Sequence, residues 1–207
     1  MSAHLMRTAS ASVEWDAATM PMPGENVLGD RAVVAFAQEQ TLLAAIDGLG
    51  HGPEAAAAAQ IAADTLTHLV EQDVASAVLE CHRALGGTRG AALSLASING
   101  RERTVTWLGV GNVESRLLHG AEPVPLSESL LLHNGIVGHD LPRLTPQTMP
   151  MAHGDVLIFA TDGIHRDFAD DLMPHGSCRE IADRILQQHA VGSDDALVLV
   201  ARYLGRT

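Results

Sequence analysis

Basic residues are scarce. Lys and Arg together number 13 against 25 Asp and Glu, a net charge of -12 in 207 residues. So acidic a chain argues against nucleic acid or an anionic membrane as a partner, since both reward clustered Lys and Arg. Cysteine is almost missing too: Cys81 and Cys178 stand far apart, with no CxxC and no paired histidine spacing. A zinc site and a disulfide framework are therefore not indicated, and a reducing cytoplasm fits best. No uncharged apolar stretch reaches 18 residues, and Met1 to Met20 has no signal-type apolar core. The expectation is a soluble cytoplasmic protein in one domain spanning 1–207. Aromatics make up 3% while apolar residues make up 46%, so the core is aliphatic. The acid excess leaves two readings, plain solubility or acids gathered around a cation.

Hydrophobic periodicity changes along the chain. Ala11 to Ala17 reads as a first edge strand, and the Pro- and Gly-rich Met20 to Gly29 as a loop. Arg31 to Phe36 and Thr41 to Ile46 are short apolar runs four residues apart, a hairpin signal. From Pro53 to about Val70 the alanine-rich sequence predicts a helix, with Pro and Glu54 in its first turn. Asp73 predicts the cap of a second helix running to about Leu85. Strands are expected at Ala91 to Ile98, Arg103 to Val110 and Val113 to His119, the first two joined by a tight Asn99-Gly100 turn. Leu126 to Thr148 reads as irregular. Asp155 to Thr161 is a buried strand, Ser177 to Ala190 an amphipathic helix, and Ala196 to Leu204 a last strand. Strands joined by short turns and helices in separate blocks predict an α+β layered domain, not an alternating βαβ chain.

Aspartates mark the ends of the apolar strands. Asp30 precedes Arg31 to Phe36, Asp47 ends the next strand and is followed by Gly48, and Asp162-Gly163 ends the Asp155 to Thr161 strand. Asp194 and Asp195 lead into the last strand. A single Asp-Gly is an ordinary turn. Four such placements point instead to carboxylates at one sheet edge, which repel unless a cation lies among them. An oxygen-only ligand set suits Mg²⁺ or Mn²⁺, and two such ions can activate a shared water and clamp a phosphoryl oxygen.

The pattern resembles the protein phosphatase 2C family of metal-dependent Ser/Thr phosphatases. The residues that carry the resemblance are Ala45-Ile46-Asp47-Gly48, Ala160-Thr161-Asp162-Gly163 and Ser193-Asp194-Asp195-Ala196. Gly109-Val110-Gly111-Asn112, with Arg116 beyond, and Gly87-Thr88-Arg89-Gly90-Ala91 add to it. Within the family, the short length and the Asp47-to-Gly52 stretch are most similar to the bacterial SpoIIE/RsbX-type regulators. The resemblance implies a four-layer α-β-β-α sandwich with two central antiparallel sheets and two Mn²⁺ or Mg²⁺ ions in the cleft. It implies that Asp47 bridges the ions, that the Gly48 carbonyl binds one, that Asp162 and Asp194 hold the other, and that Asp30 is the subgroup's Gly-Asp acid. It also implies phosphorylated Ser/Thr substrates on sigma-factor regulators, STAS-domain proteins or stressosome components. The phosphate-gripping arginine of eukaryotic members has no clear counterpart, which leaves the metals or Arg89 to hold phosphate. The stretch between Asp140 and Asp155 is too short for a long flap subdomain.

His51 has two readings: a general acid that protonates the leaving serine oxygen, or a loop residue bonding the backbone at the helix entry. His165, directly after the second Asp-Gly, is the other histidine of interest. A phosphatase-like binding module without turnover and a metal-dependent hydrolase of small phosphoesters are the alternative functions.

Overall fold

The computed structural model describes residues 12–25, 27–120, 126–170 and 172–205. Ala11, where the sequence placed the start of the first strand, lies outside them. Two sheets form the centre. The first runs β1 (Val13–Met20), β11 (Ala196–Tyr203), β10 (Val156–Ala160), β6 (Glu114–His119), β7 (Leu126–Ser129). The second runs β2 (Asp30–Phe36), β3 (Gln40–Gly48), β4 (Ala91–Asn99), β5 (Thr104–Val110), β8 (Leu132–His133), with β9 (Gln147–Pro150) also on β5. Helices α1 (Pro53–Thr67) and α2 (Val74–Ala84) cover the second sheet, and α3 (Cys178–His189) covers the first. The layers are therefore α-β-β-α, as expected. Pairing is antiparallel throughout the named strands except for a short parallel contact of β5 with β8.

The strand sequences explain the layers. In β3, Leu42, Ala44 and Ile46 pack under the helices while Leu43 and Ala45 face the other sheet. In β11, Ala196, Val198 and Val200 pack toward α3 while Leu197, Leu199 and Ala201 face inward. Alternation of side chains with both faces covered makes each strand one continuous apolar run. Alanines at 55, 58, 59, 62 and 63 bury one face of α1. Small side chains there let the helix backbone lie close to the sheet.

The helix caps follow the sequence. Asp73 accepts from the Ser76 amide at 2.9 Å, and Ser177 and Glu180 form a reciprocal capping box. Two local expectations fail. Asn99-Gly100 is not a two-residue hairpin turn. The Asn99 side chain accepts from the amides of Arg101 and Glu102, both at 3.0 Å, and Arg103 takes the left-handed conformation (φ 55) before β5 begins. The stretch from Leu126 to Thr148 is not wholly irregular, because it supplies β7, β8 and the start of β9.

Cys81 and Cys178 are free and buried, and burial pushes both thiols up to about 12. Reactivity follows the thiolate. Dithiobis-nitrobenzoate is expected to label neither cysteine in the native protein and both in urea. Prompt labelling of either one in the native state would show that the helix layers open.

Candidate metal centre

The interior between the sheets ends in carboxylates. Alternation continues the inward face of β3 from Leu43 and Ala45 to Asp47. On β2, Ala32 and Val34 share that face with Asp30, and the two aspartates are direct cross-strand partners. Like charges placed directly opposite are destabilising. From the other sheet, Asp162 follows β10 and Asp194 precedes β11. The structure thus brings Asp30, Asp47, Asp162 and Asp194 to one end of the sandwich, two from each sheet.

Their electrostatics agree with the placement. Asp30 is 2% exposed. Burial raises its carboxyl to about 7, against the Thr161 hydrogen bond and aided by the charges of Asp195, Asp162 and Asp194. Asp47 is raised to about 8, first by burial, then by the charges of Asp30 and Asp162. Asp162 is the most open to solvent and is raised as well, by residual burial and by Asp194. Groups whose charges bear on each other in this way lie close together, although among the described residues no three His, Cys, Asp or Glu side chains already form a closed ligand set. Each carboxylate instead has a protein donor. Thr161 Oγ1 donates to Asp30 Oδ2 at 2.7 Å, joining the two sheets. Asn112 Nδ2 donates to Asp162 Oδ2 at 2.6 Å, and the same amide also serves Asp47. Asp194 Oδ1 accepts from the Asp195 amide at 2.8 Å.

The glycines of the two Asp-Gly steps have a packing reason. A Cβ on Gly48 would lie 2.1 Å from the Ala55 carbonyl oxygen in α1, and one on Gly163 would lie 2.0 Å from the Asp195 carbonyl oxygen. Each aspartate is held at its strand end because the next residue lets another backbone pass at contact distance.

Neighbouring residues divide into supports and surface groups. Asp195, the second acid of its dipeptide, is buried and accepts from the amides of Met22 and Gly29, both at 2.8 Å. It clamps the loop before β2. His51 stands on the exposed turn beyond Gly48, with Nδ1 2.9 Å from Glu25 Oε1. The expectation that a non-catalytic His51 would bond the backbone is not met, because its partner is this carboxylate. Arg89 Nη2 pairs with Glu54 Oε2 at 2.5 Å, at the edge of the same turn. Arg31 turns away from the acids, to Gln60 and to the carbonyls of Leu28 and Asp30. His165 caps the short 3₁₀ turn Arg166–Ala169 through its backbone. Sequence reasoning gave no role to Asn112, Thr161 or Glu25. The Gly109-to-Asn112 motif was visible, but its meeting with Asp162, 50 residues away, was not.

Two stacked sheets thus lie between helix layers, and carboxylates from both sheets converge at one end. The chain belongs to the SpoIIE family (Stage II sporulation protein E), whose family model matches residues 37–204. It is 25% identical over 185 residues to the phosphoserine phosphatase RsbX of Bacillus subtilis (strain 168), covering 86% of this chain and 89% of that one. A solved structure described as the bacterial stressosome, a modular system adapted to control secondary messenger signaling, superposes with a TM-score of 0.82 at 29% identity. It covers 92% of this chain and 99% of that one. RsbX in complex with magnesium superposes with a TM-score of 0.83 at 23% identity, over 94% and 97% of the two chains. Among the described residues no helix is long and apolar enough to cross a membrane.

Proposed function

We propose that this chain, as one cytoplasmic phosphatase domain over 1–207, removes phosphate from phosphoserine or phosphothreonine on sigma-factor regulatory or stressosome proteins, STAS-domain proteins among them. Two Mg²⁺ or Mn²⁺ ions would assist. One observation carries this: two carboxylates from each sheet converge at one end of the sandwich, and burial first, then the charges of neighbouring aspartates, raises three of them. The donor set fits a hard divalent cation. It offers oxygen ligands only, and the opposed pair of Asp30 and Asp47 calls for counter-charge. The likeness to RsbX, a phosphoserine phosphatase solved with magnesium, and to a stressosome structure supports both the metal and the partner class.

Asp47, the Gly48 main-chain carbonyl, Asp162 and Asp194 would hold the ions. Asp30 lies across from Asp47 as the buried acid behind it. Held there, the ions would supply activation of a water at neutral pH and counter-charge for the phosphoryl oxygens. Thr161 and Asn112 fix the orientations of Asp30 and Asp162. Arg89, which pairs with Glu54, would meet a phosphate oxygen by exchanging Glu54 for it. His51 is assigned delivery of a proton to the departing serine oxygen.

Purified protein is expected to release phosphate from a phosphorylated STAS-domain protein with millimolar Mn²⁺ and not with EDTA, and Asp162→Asn is expected to slow release at least about a hundredfold. Measured by malachite green, release that is indifferent to EDTA and to Asp162→Asn would remove this function. Faster turnover of nucleotides or sugar phosphates than of any phosphoprotein would move the substrate class to small phosphoesters.

A further inference from the structure

Resting on the phosphatase function proposed above, we infer that Glu25 is a positioning residue: it fixes the His51 ring so that Nε2 is the atom offered to the leaving oxygen. A carboxylate only accepts, so at 2.9 Å the ring donates from Nδ1, and Nε2 has no hydrogen-bond partner among the described residues. The His51 side chain is 59% exposed and that of Glu25 29%. An ion pair so exposed adds little to stability.

The loop that carries Glu25 is nevertheless built with care. The Glu25 amide closes a turn on the Met22 carbonyl at 3.0 Å. The buried Asp195 carboxylate holds the amides of Met22 and Gly29, pinning both ends of the loop beside Asp194. The turn that carries His51 is pinned as well, with the Gly48 amide on Gly29 O at 3.3 Å and the Leu49 amide on Gly90 O at 3.1 Å. Glu54 and Arg89, the charged groups flanking this turn, pair with each other and leave His51 to Glu25. Asp47 closes the strand beneath it. The carboxylate of Asp195 thus ties the histidine's partner to the same dipeptide that supplies Asp194.

The chemistry uses this orientation directly. As the phosphorus–oxygen bond breaks, its electron pair goes to the serine oxygen, which takes the Nε2 proton of the imidazolium. The proton released by the attacking water returns the ring to its starting form. Glu25 touches neither the substrate nor the phosphorus.

The test compares two substrates with the full-length protein. A phosphoserine peptide has a poor leaving group that needs a proton, whereas p-nitrophenyl phosphate has one that leaves without it. Glu25→Gln is expected to lower kcat on the peptide at least about tenfold with KM little changed, and to leave p-nitrophenyl phosphate turnover within about twofold. His51→Asn should show the same split more strongly, and Glu25→Asp should recover part of the loss. Glu80→Gln, which breaks an ion pair on α2, serves as the control. Ring ¹⁵N shifts of His51 should move in Glu25→Gln and not in Glu80→Gln. Equal losses on both substrates, or no loss on the peptide, would overturn the inference. Wild-type protein inert toward both substrates counts against the phosphatase function itself, and unmoved His51 ring shifts would then overturn the role of Glu25 separately.

Discussion

Asp47→Asn is expected to abolish metal-dependent phosphate release and, in EDTA at pH 8, to make the protein more stable than wild type. Asp47 is raised from 3.8 to about 8 by burial first and by the charges of Asp30 and Asp162 next, and its cross-strand partner Asp30 is raised to about 7 by burial and the charges of Asp195, Asp162 and Asp194, against its Thr161 hydrogen bond. A carboxyl whose folded pKa exceeds its unfolded one binds its proton more tightly in the native state. Its stabilising contribution is complete below the unfolded pKa and is lost as pH climbs through the folded one. Metal-free stability should therefore decline between about pH 4 and pH 8. Asn at position 47 removes one of the opposed charges and is expected to restore about 2 kcal/mol at pH 8, with little effect at pH 4. Urea unfolding in EDTA at both pH values checks this. A variant less stable than wild type at pH 8 would contradict the charge cluster. Saturating Mg²⁺ should reverse the order, because a ligand at a hundred times its Kd adds about 2.7 kcal/mol to the protein that binds it. The site thus holds repulsion that the fold tolerates and that a bound cation would relieve, a common cost of function.

Gly48→Ala and Gly163→Ala carry the second large effect. The added methyl groups would stand 2.1 Å and 2.0 Å from the carbonyl oxygens of Ala55 and Asp195. Those oxygens belong to backbone, which cannot swing aside as a side-chain tip can. Overpacking of this kind costs about 3 kcal/mol or more, and at this chain length the Tm is expected to fall by roughly 10 °C for each variant. Calorimetry measures it. Gly154→Ala, where a Cβ meets nothing within 4 Å but φ is 92°, is the comparison. It should cost only the backbone strain, about 1 kcal/mol. Equal losses at Gly48 and Gly154 would show that close approach is not what position 48 requires.

The parts of the fold legible in sequence are those where burial wrote a pattern. β3 and β11 are covered on both faces, so each is an unbroken apolar run, and an aspartate at its end is conspicuous. Helix α2 announced itself through its cap Asp73 and α3 through its amphipathic period, while the capping box of Ser177 and Glu180 became visible only in the structure. β7, β8 and β9 did not. β7 is exposed at all four residues, and β8 and β9 are short and never fully buried. Backbone pairing to β6 and β5 holds these strands, and it leaves no periodicity to read. The aspartates could be chosen from strand ends alone, but their supports could not. Asn112 reaches Asp162 across 50 residues, and Thr161 reaches Asp30 across 131. Asp195 looked like the twin of Asp194. Strand alternation separates them, turning one inward as a loop clamp and leaving the other half-exposed.

The pairing of β1 with β11, Val13 against Tyr203, bears on the order in which the molecule assembles. Strands β2, β3, β4 and β5 pair in sequence order, so the second sheet can form from neighbours. The first sheet closes only when the earliest strand meets the last, at the greatest loop-closure cost in the chain. Two of the four clustered aspartates ride on each sheet. Their convergence is therefore expected to belong to the final docking step, and a cation bound among them is expected to slow unfolding while leaving the rate of folding nearly unchanged.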